Sequence, residues 1–170
     1  GLDLVRRALN ESEIPARVFN PTHVNRRKAL FDEAVTLAAQ GCYIDLTAFP
    51  VEDGEDAWSA TEGLQRYLAS GAPADRVTIS SDAGGCLPCF DAEGRVSSMN
   101  VGHSGALLET LRALADGGMP LETALPAFTA NPARLLRLAR KGRVEAGADA
   151  DLVALDATGA AQTVIIGGQI

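Results

Sequence analysis

The chain has 170 residues, 46% of them hydrophobic, with a formal net charge of −7. That apolar content supports a buried core and excludes global disorder, and the acidic balance, without a basic stripe, excludes a nucleic-acid partner. No apolar run reaches the ~18–20 residues of a membrane span, so no membrane partner is expected, and three cysteines, an odd count, fit a reducing, cytoplasmic location.

Leu2, Val5, Ala8 and Leu9 recur at helical spacing until Pro15 breaks the pattern. The chain carries no initiator Met and reads as opening in mid-helix, so a natural start is expected further upstream. Arg17-Val18-Phe19-Asn20 predicts a short strand ending at His23. Leu30, Ala34, Leu37 and Ala38, widened by Phe31 and Val35, predict an amphipathic helix stopped by Gly41. Cys42-Tyr43-Ile44-Asp45-Leu46-Thr47-Ala48 predicts a second strand, and the acidic stretch 49–56 a loop. Trp58, Thr61, Leu64 and Leu68 mark a second helix, closed by Gly71. A third strand is predicted over 76–81, ending at Asp82. Residues 83–102 read as a long glycine-containing loop, a length that points to function or disorder. Leu107, Leu108, Leu111 and Leu114 predict a helix; Pro120 opens another helical stretch, and Asn131-Pro132 starts a last one. The tail changes character: 142–151 is turn-rich, and 152–155 and 163–166 are β-runs suited to a hairpin.

Strands alternating with helices imply right-handed βαβ units and a parallel sheet. Three strands are too few for a doubly wound domain, and a full (β/α)8 barrel needs about 250 residues. The order therefore predicts an α/β fold class. Residues 1–141 would be the C-terminal part of a (β/α)8 TIM barrel, its last three βα units, and 142–170 the strands of a small β-sandwich domain.

Parallel α/β folds place their chemistry where strands run out into loops. Two such ends carry potential metal ligands, His23 in Pro21-Thr22-His23-Val24-Asn25-Arg26 and Asp82 in Ser80-Ser81-Asp82-Ala83-Gly84-Gly85. His23 reads either as a polar strand-end residue or as a zinc ligand, and Asp82 either as a turn residue or as a carboxylate that binds metal and takes a proton from water. Asn25 is placed to cap the following helix. Arg26, in that helix's first turn, sits against the macrodipole preference for acids there, which suggests that it binds an anion, a carboxylate held bidentately. Cys86-Leu87-Pro88-Cys89 is a CxxC, readable as half a zinc site completed by Cys42 and His103, as a redox pair, or as two small residues in a loop. His103 reads as a loop or cap histidine, Asp45 as a residue turned into the fold, and the acids at 52–56 as a solvated loop.

The hexapeptide at 21–26, the strand Ile44-Asp45-Leu46-Thr47, the run Val77-Thr78-Ile79-Ser80-Ser81-Asp82, the helix at 107–111 and the tail Gly147-Ala148-Asp149-Ala150-Asp151-Leu152-Val153 together resemble the isoaspartyl (β-aspartyl) dipeptidases, zinc hydrolases of the amidohydrolase superfamily. The tail is specific only to the superfamily, the hexapeptide much more so to the dipeptidases. The resemblance covers essentially the whole chain but half or less of such an enzyme. It implies that His23 is the metal ligand of barrel strand six, that Arg26 binds a substrate carboxylate, and that Asp82, at strand eight, binds metal and acts as general base and acid. The implied reaction is hydrolysis of β-aspartyl dipeptides by metal-activated hydroxide, with two zinc ions in the complete enzyme, and a homo-oligomeric state is expected. Cys86 stands where the family has a substrate-contacting serine, and a thiol is the weaker hydrogen-bond partner. The family's His-x-His pair, bridging lysine and strand-five histidine have no counterpart among two histidines and two lysines, Lys28 and Lys141. This chain is thus expected to supply part of a site and to be inactive alone. A dihydroorotase-like cyclic-amide hydrolase and a non-catalytic fragment are the alternative readings.

Overall fold

A parallel ladder joins β1 (Ile44–Thr47) to β2 (Val77–Ser80), in register from Ile44↔Val77 to Thr47↔Ser80. A computed structural model describes residues 1–91 and 93–170, and the fold it shows is mixed α/β. All four residues of β1 are buried, as expected for a parallel strand covered on both faces. Alternation divides them: Ile44 and Leu46 join the hydrophobic core, while Asp45 and Thr47 face the other way and form a buried polar row.

The helices are α1 (Asp3–Glu11), α2 (Lys28–Ala39), α3 (Ala60–Ala69), α4 (Ala106–Asp116), α5 (Leu121–Ala124) and α6 (Ala130–Leu135). The apolar stripe of α2 buries Phe31, Ala34, Leu37 and Ala38. Helix α3 starts on a capping box: Ser59 accepts from the Glu62 N–H, and the Glu62 carboxylate accepts from the Ser59 N–H. Its Gly63 lets α3 lie close on β1, since a Cβ there would come 3.3 Å from Leu46 Cδ1. Among the described residues no helix is long and apolar enough to cross a membrane.

Two expectations about elements need correcting. Residues 17–20 are not a strand: Ala16–Val18 form a 3-10 turn, and extended chain follows. That chain accepts at alternate residues from β1 and the residue before it, Tyr43 N–H to Phe19 O and Asp45 N–H to Pro21 O, both at 2.9 Å. The return half of the ladder is lost because Pro21 has no N–H and the Phe19 N–H is spent on Ala16 O. The stretch 83–102, in turn, is not a loop. It contains an antiparallel hairpin of β3 (Cys86–Phe90) and β4 (Val96–Val101), with Cys86 opposite Val101. Leu87 and Cys89 point inward and Cys86 and Phe90 outward, and Leu87 packs with Phe49, Ala57 and Val51 in a small second core. The predicted tail hairpin is present, as β5 (Leu152–Leu155) paired with β6 (Ala161–Ile165). In its turn the Asp156 carboxylate accepts from the Thr158 hydroxyl and from the Ala160 and Thr158 N–H groups, which pulls it down to about 2.

The buried polar row organises what surrounds it. The Asp45 carboxylate accepts from Thr22 Oγ1 at 2.9 Å, Thr78 Oγ1 at 2.6 Å and Ser80 Oγ at 2.5 Å. Desolvation pushes its carboxyl above the usual carboxylate range, and the three hydroxyls pull partly back. At the end of β2 the hairpin closes tightly on the chain. A Cβ on Gly102 would lie 2.0 Å from Asp82 O, and one on Gly85 would lie 2.5 Å from Asp82 Oδ1.

Asp45→Ala strands three hydroxyls and is expected to cost about 3 kcal/mol, whereas Asp45→Asn keeps one acceptor oxygen and costs about 1 kcal/mol. Urea unfolding midpoints check the ranking, and equal losses contradict it. Gly102→Ala meets backbone and is expected to destabilise by about 1–3 kcal/mol, as overpacking does. Gly85→Ala meets only a carboxylate that can rotate away, so its loss is the smaller. Indistinguishable melting temperatures for the two variants would remove the close fit of the hairpin on Asp82.

Candidate active site

His23 and Asp82 lie at adjacent ends of the chain segments flanking β1, with His23 Nδ1 3.9 Å from Asp82 Oδ2. Both side chains are partly open, 38% and 29% exposed. Of the three non-glycine residues with positive φ among those described, two are His23 (φ 57°) and Asp82 (φ 49°). A left-handed conformation costs a residue with a Cβ about 1–2 kcal/mol. Both side chains are thus held in unfavourable backbone at the sheet edge, the kind of local strain that clusters at functional sites.

The neighbours explain how. Thr22 is bonded to Asp45, which fixes the residue before His23. Ser80 is bonded to the same carboxylate, two residues before Asp82. His23 Nδ1 lies 2.8 Å from Thr47 Oγ1 at the end of β1. Beyond Asp82, the Gly85 N–H donates to Asp82 O at 2.9 Å, and Gly84 N–H to Gly102 O at 2.8 Å. Asp82 is held between the end of β2 and the base of the β3–β4 hairpin.

Asn25 does not cap α2. It is fully buried, accepting from Thr47 N–H at 2.9 Å and donating to Thr47 O at 3.0 Å and to Trp58 O at 2.8 Å. The helix begins at Lys28, with Arg27 as its N-cap, and Arg26 lies in a separate 3-10 turn, Val24–Arg26. Arg26 lies outside α2, so the dipole argument that singled it out does not apply. Its guanidinium lies 4.8 Å from the centroid of the Phe49 ring and donates to Pro88 O at 3.3 Å. Arg26 therefore reaches the hairpin that Asp82 begins. Cys86 is exposed at the start of β3, four residues past Asp82.

The CxxC carries no joint chemistry. On a strand, residues three apart point to opposite faces: Cys86 is exposed, while Cys89 is buried and accepts from Asn100 Nδ2 at 3.2 Å. Cys42 is buried elsewhere, and desolvation pushes its thiol up. His103 sits before α4, where its carbonyl accepts from Ala106 N–H and its ring lies 3.7 Å from Glu109. Among the described residues no three His, Cys, Asp or Glu side chains form a cluster able to hold a metal. The donor chemistry of His23 and Asp82, an imidazole nitrogen and a carboxylate oxygen, is of a kind that fits zinc.

A model of the amidohydrolase family matches residues 11–170. A deacetylase of Agrobacterium fabrum is 27% identical, over 79% of this chain and 36% of its own. A β-aspartyl dipeptidase of Fervidobacterium islandicum AW-1, in complex with the β-Asp-Leu dipeptide, superposes with a TM-score of 0.87 at 33% identity, covering 99% of this chain and 43% of that one. An N-acetylglucosamine-6-phosphate deacetylase of Pasteurella multocida, 16% identical with a TM-score of 0.62, shares the fold over 98% of this chain and 47% of its own. The chain thus spans less than half the length of these relatives. Since the family match runs from the end of α1 across His23, Asp82 and both hairpins to the last residue, the chain belongs to the amidohydrolase family.

Proposed function

We propose that this chain supplies part of the active site of a zinc-dependent hydrolase of β-aspartyl dipeptides. In this reading residues 1–141 are the last three βα units of a (β/α)8 barrel, and 142–170 are strands of a small β domain. The observation that carries it is the pairing of His23 with Asp82, 3.9 Å apart, in a chain 33% identical to a β-aspartyl dipeptidase along 99% of its length. His23 and Asp82 would hold metal, together with ligands from outside these residues. When bound, zinc polarises a carbonyl and makes water a nucleophile near neutral pH.

The chain's own residues divide the remaining work. Asp82 accepts the proton of the attacking water and returns it to the leaving amine, as a general base and then a general acid. Arg26 offers its planar fork to the free carboxylate of the substrate. Its stacking on Phe49 holds the guanidinium plane, so little freedom is lost on binding. Cys86, exposed at the start of β3, contacts the substrate through a weakly polar thiol.

A second reading, a deacetylase, is favoured by the 27% identical curated relative. Both reactions cleave an amide, and the two substrates differ in the acyl group, a charged β-aspartyl in the dipeptide and a neutral acetyl in the other. The deciding assay uses the full-length protein that contains this chain, with β-Asp-Leu and an N-acetylated amino acid as substrates. Turnover of the dipeptide is expected, and turnover of the acetylated substrate alone overturns the dipeptidase reading. Asp82→Asn is expected to lower kcat by about 10²–10⁴-fold, the usual worth of a general base. Retained turnover removes Asp82 from that role. Arg26→Lys keeps the charge but loses the fork, so kcat/KM should fall about 10–100-fold, mainly through KM. An unchanged kcat/KM excludes Arg26 from carboxylate binding.

A further inference from the structure

We propose that Thr47 is a positioning residue for His23: its hydroxyl holds the imidazole at Nδ1 and leaves Nε2 as the nitrogen presented for ligation. The proposal deepens the hydrolase reading, since it rests on His23 being a ligand. It stands on the geometry of one fully buried residue. Thr47 ends β1 and has no exposed surface. Its peptide groups are gripped on both sides by one side chain, its N–H donating to Asn25 Oδ1 at 2.9 Å and its carbonyl accepting from Asn25 Nδ2 at 3.0 Å. Asn25 is itself fixed, donating from Nδ2 to Trp58 O at 2.8 Å and accepting at its own carbonyl from Trp58 N–H at 2.9 Å. A β-branched side chain on so constrained a backbone has few rotamers open to it. The Thr47 hydroxyl is therefore a fixed point in the fold, and it lies 2.8 Å from His23 Nδ1.

The direction of that hydrogen bond follows from the next neighbour. The same Nδ1 lies 3.9 Å from the Asp82 carboxylate, and a negative charge favours the proton-bearing nitrogen on its side of the ring. Nδ1–H then donates to Thr47 Oγ1, and Nε2 keeps its lone pair. A ligating histidine is commonly oriented in this way, by a partner that fixes its tautomer and ring plane through the other nitrogen. Here the Thr47 side-chain hydroxyl performs that task from the end of β1, with Asn25 fixing the Thr47 backbone.

The test reads the ring itself, on the full-length protein that contains this chain, with neither metal nor substrate. Nitrogen-15 spectra, with the His23 and His103 signals assigned from His23→Gln and His103→Gln variants and recorded well above the ordinary histidine pKa of ~6.5, report which nitrogen of each ring carries the proton. His103, 61% exposed, is the reference in the same sample. The expected result is a His23 signal dominated by the Nδ1–H tautomer. Thr47→Val keeps the shape and removes the hydroxyl, and it should move both His23 nitrogens toward the averaged values of His103. Thr47→Ser should restore the wild-type pattern. A wild-type His23 protonated at Nε2 overturns the proposal, whether or not any variant folds. So does a folded Thr47→Val chain whose His23 nitrogens are unmoved. The dipeptide assay can fail while this result holds, and the reverse, so the two readings fall separately.

Discussion

The Asp45 carboxylate is the point on which the site depends. It sits on the polar face of a buried strand, where an unpartnered charge would be costly, and it is made tolerable by three hydroxyls from the two segments flanking β1: Thr22 on one side, Thr78 and Ser80 of β2 on the other. Two of them stand next to, or two residues before, the candidate ligands. One buried group therefore sets the spacing of His23 and Asp82 through short, directional bonds. The cost of its burial survives in its proton affinity. Desolvation holds the carboxyl above its ordinary value of 3.8, so the folded state binds this proton better than the unfolded state does. Its contribution to stability accordingly falls as pH rises from about that ordinary value through the raised one.

Fixed spacing alone would not aim the side chains. Both candidate ligands turn into the left-handed region, at φ 57° and 49°, which redirects each side chain just as its segment leaves the sheet. Such turns persist only where surrounding structure over-determines them. At His23 the constraint is the adjacent Thr22–Asp45 bond and the contact with Thr47. At Asp82 it is the hairpin base, where a Cβ on Gly102 would meet the Asp82 backbone and one on Gly85 would displace the Asp82 carboxylate. These two glycines have a steric function, and their conformational freedom is secondary to it.

Much of this was legible in the sequence, for reasons that differ by residue. Helices α2, α3 and α4 and strands β1 and β2 follow from apolar periodicity, because burial on one face leaves that imprint. His23, Asp82 and Arg26 were singled out as strand-end residues of ligand or anion-binding type. What failed was local chemistry that periodicity does not encode. Pro21 removed the N–H that a strand over 17–20 needed, although its extended neighbours still feed β1. Two glycines and Pro88 disguised β3 as loop, and Cys86-Leu87-Pro88-Cys89-Phe90 carries no apolar alternation in its sequence, since the exposed side includes Phe90. Asn25 looked like a helix cap because it precedes a helix, yet its amide is a bridge between β1 and the start of α3. Such a bridge joins residues 22 and 33 positions apart, and no pattern within one element announces it. The roles of Thr47, Gly85 and Gly102 are of the same long-range kind.

Arg26 shows how the hairpin enters the chemistry. A guanidinium has five N–H donors in one plane. Here the guanidinium carbon lies 4.8 Å from the Phe49 ring centroid and Pro88 O accepts one of the donors. Phe49 lies two residues past β1 and Pro88 lies on β3, so one side chain spans the strand end and the hairpin. One donor goes to Pro88 O, which leaves the others for an anion. An ammonium in the same position could satisfy the carbonyl or the ring, but it has no second edge to offer a carboxylate. The geometry therefore rewards arginine for its shape as well as its charge. It also ties the placement of the guanidinium to that of the hairpin, because whatever shifts β3 shifts the carbonyl that Arg26 donates to.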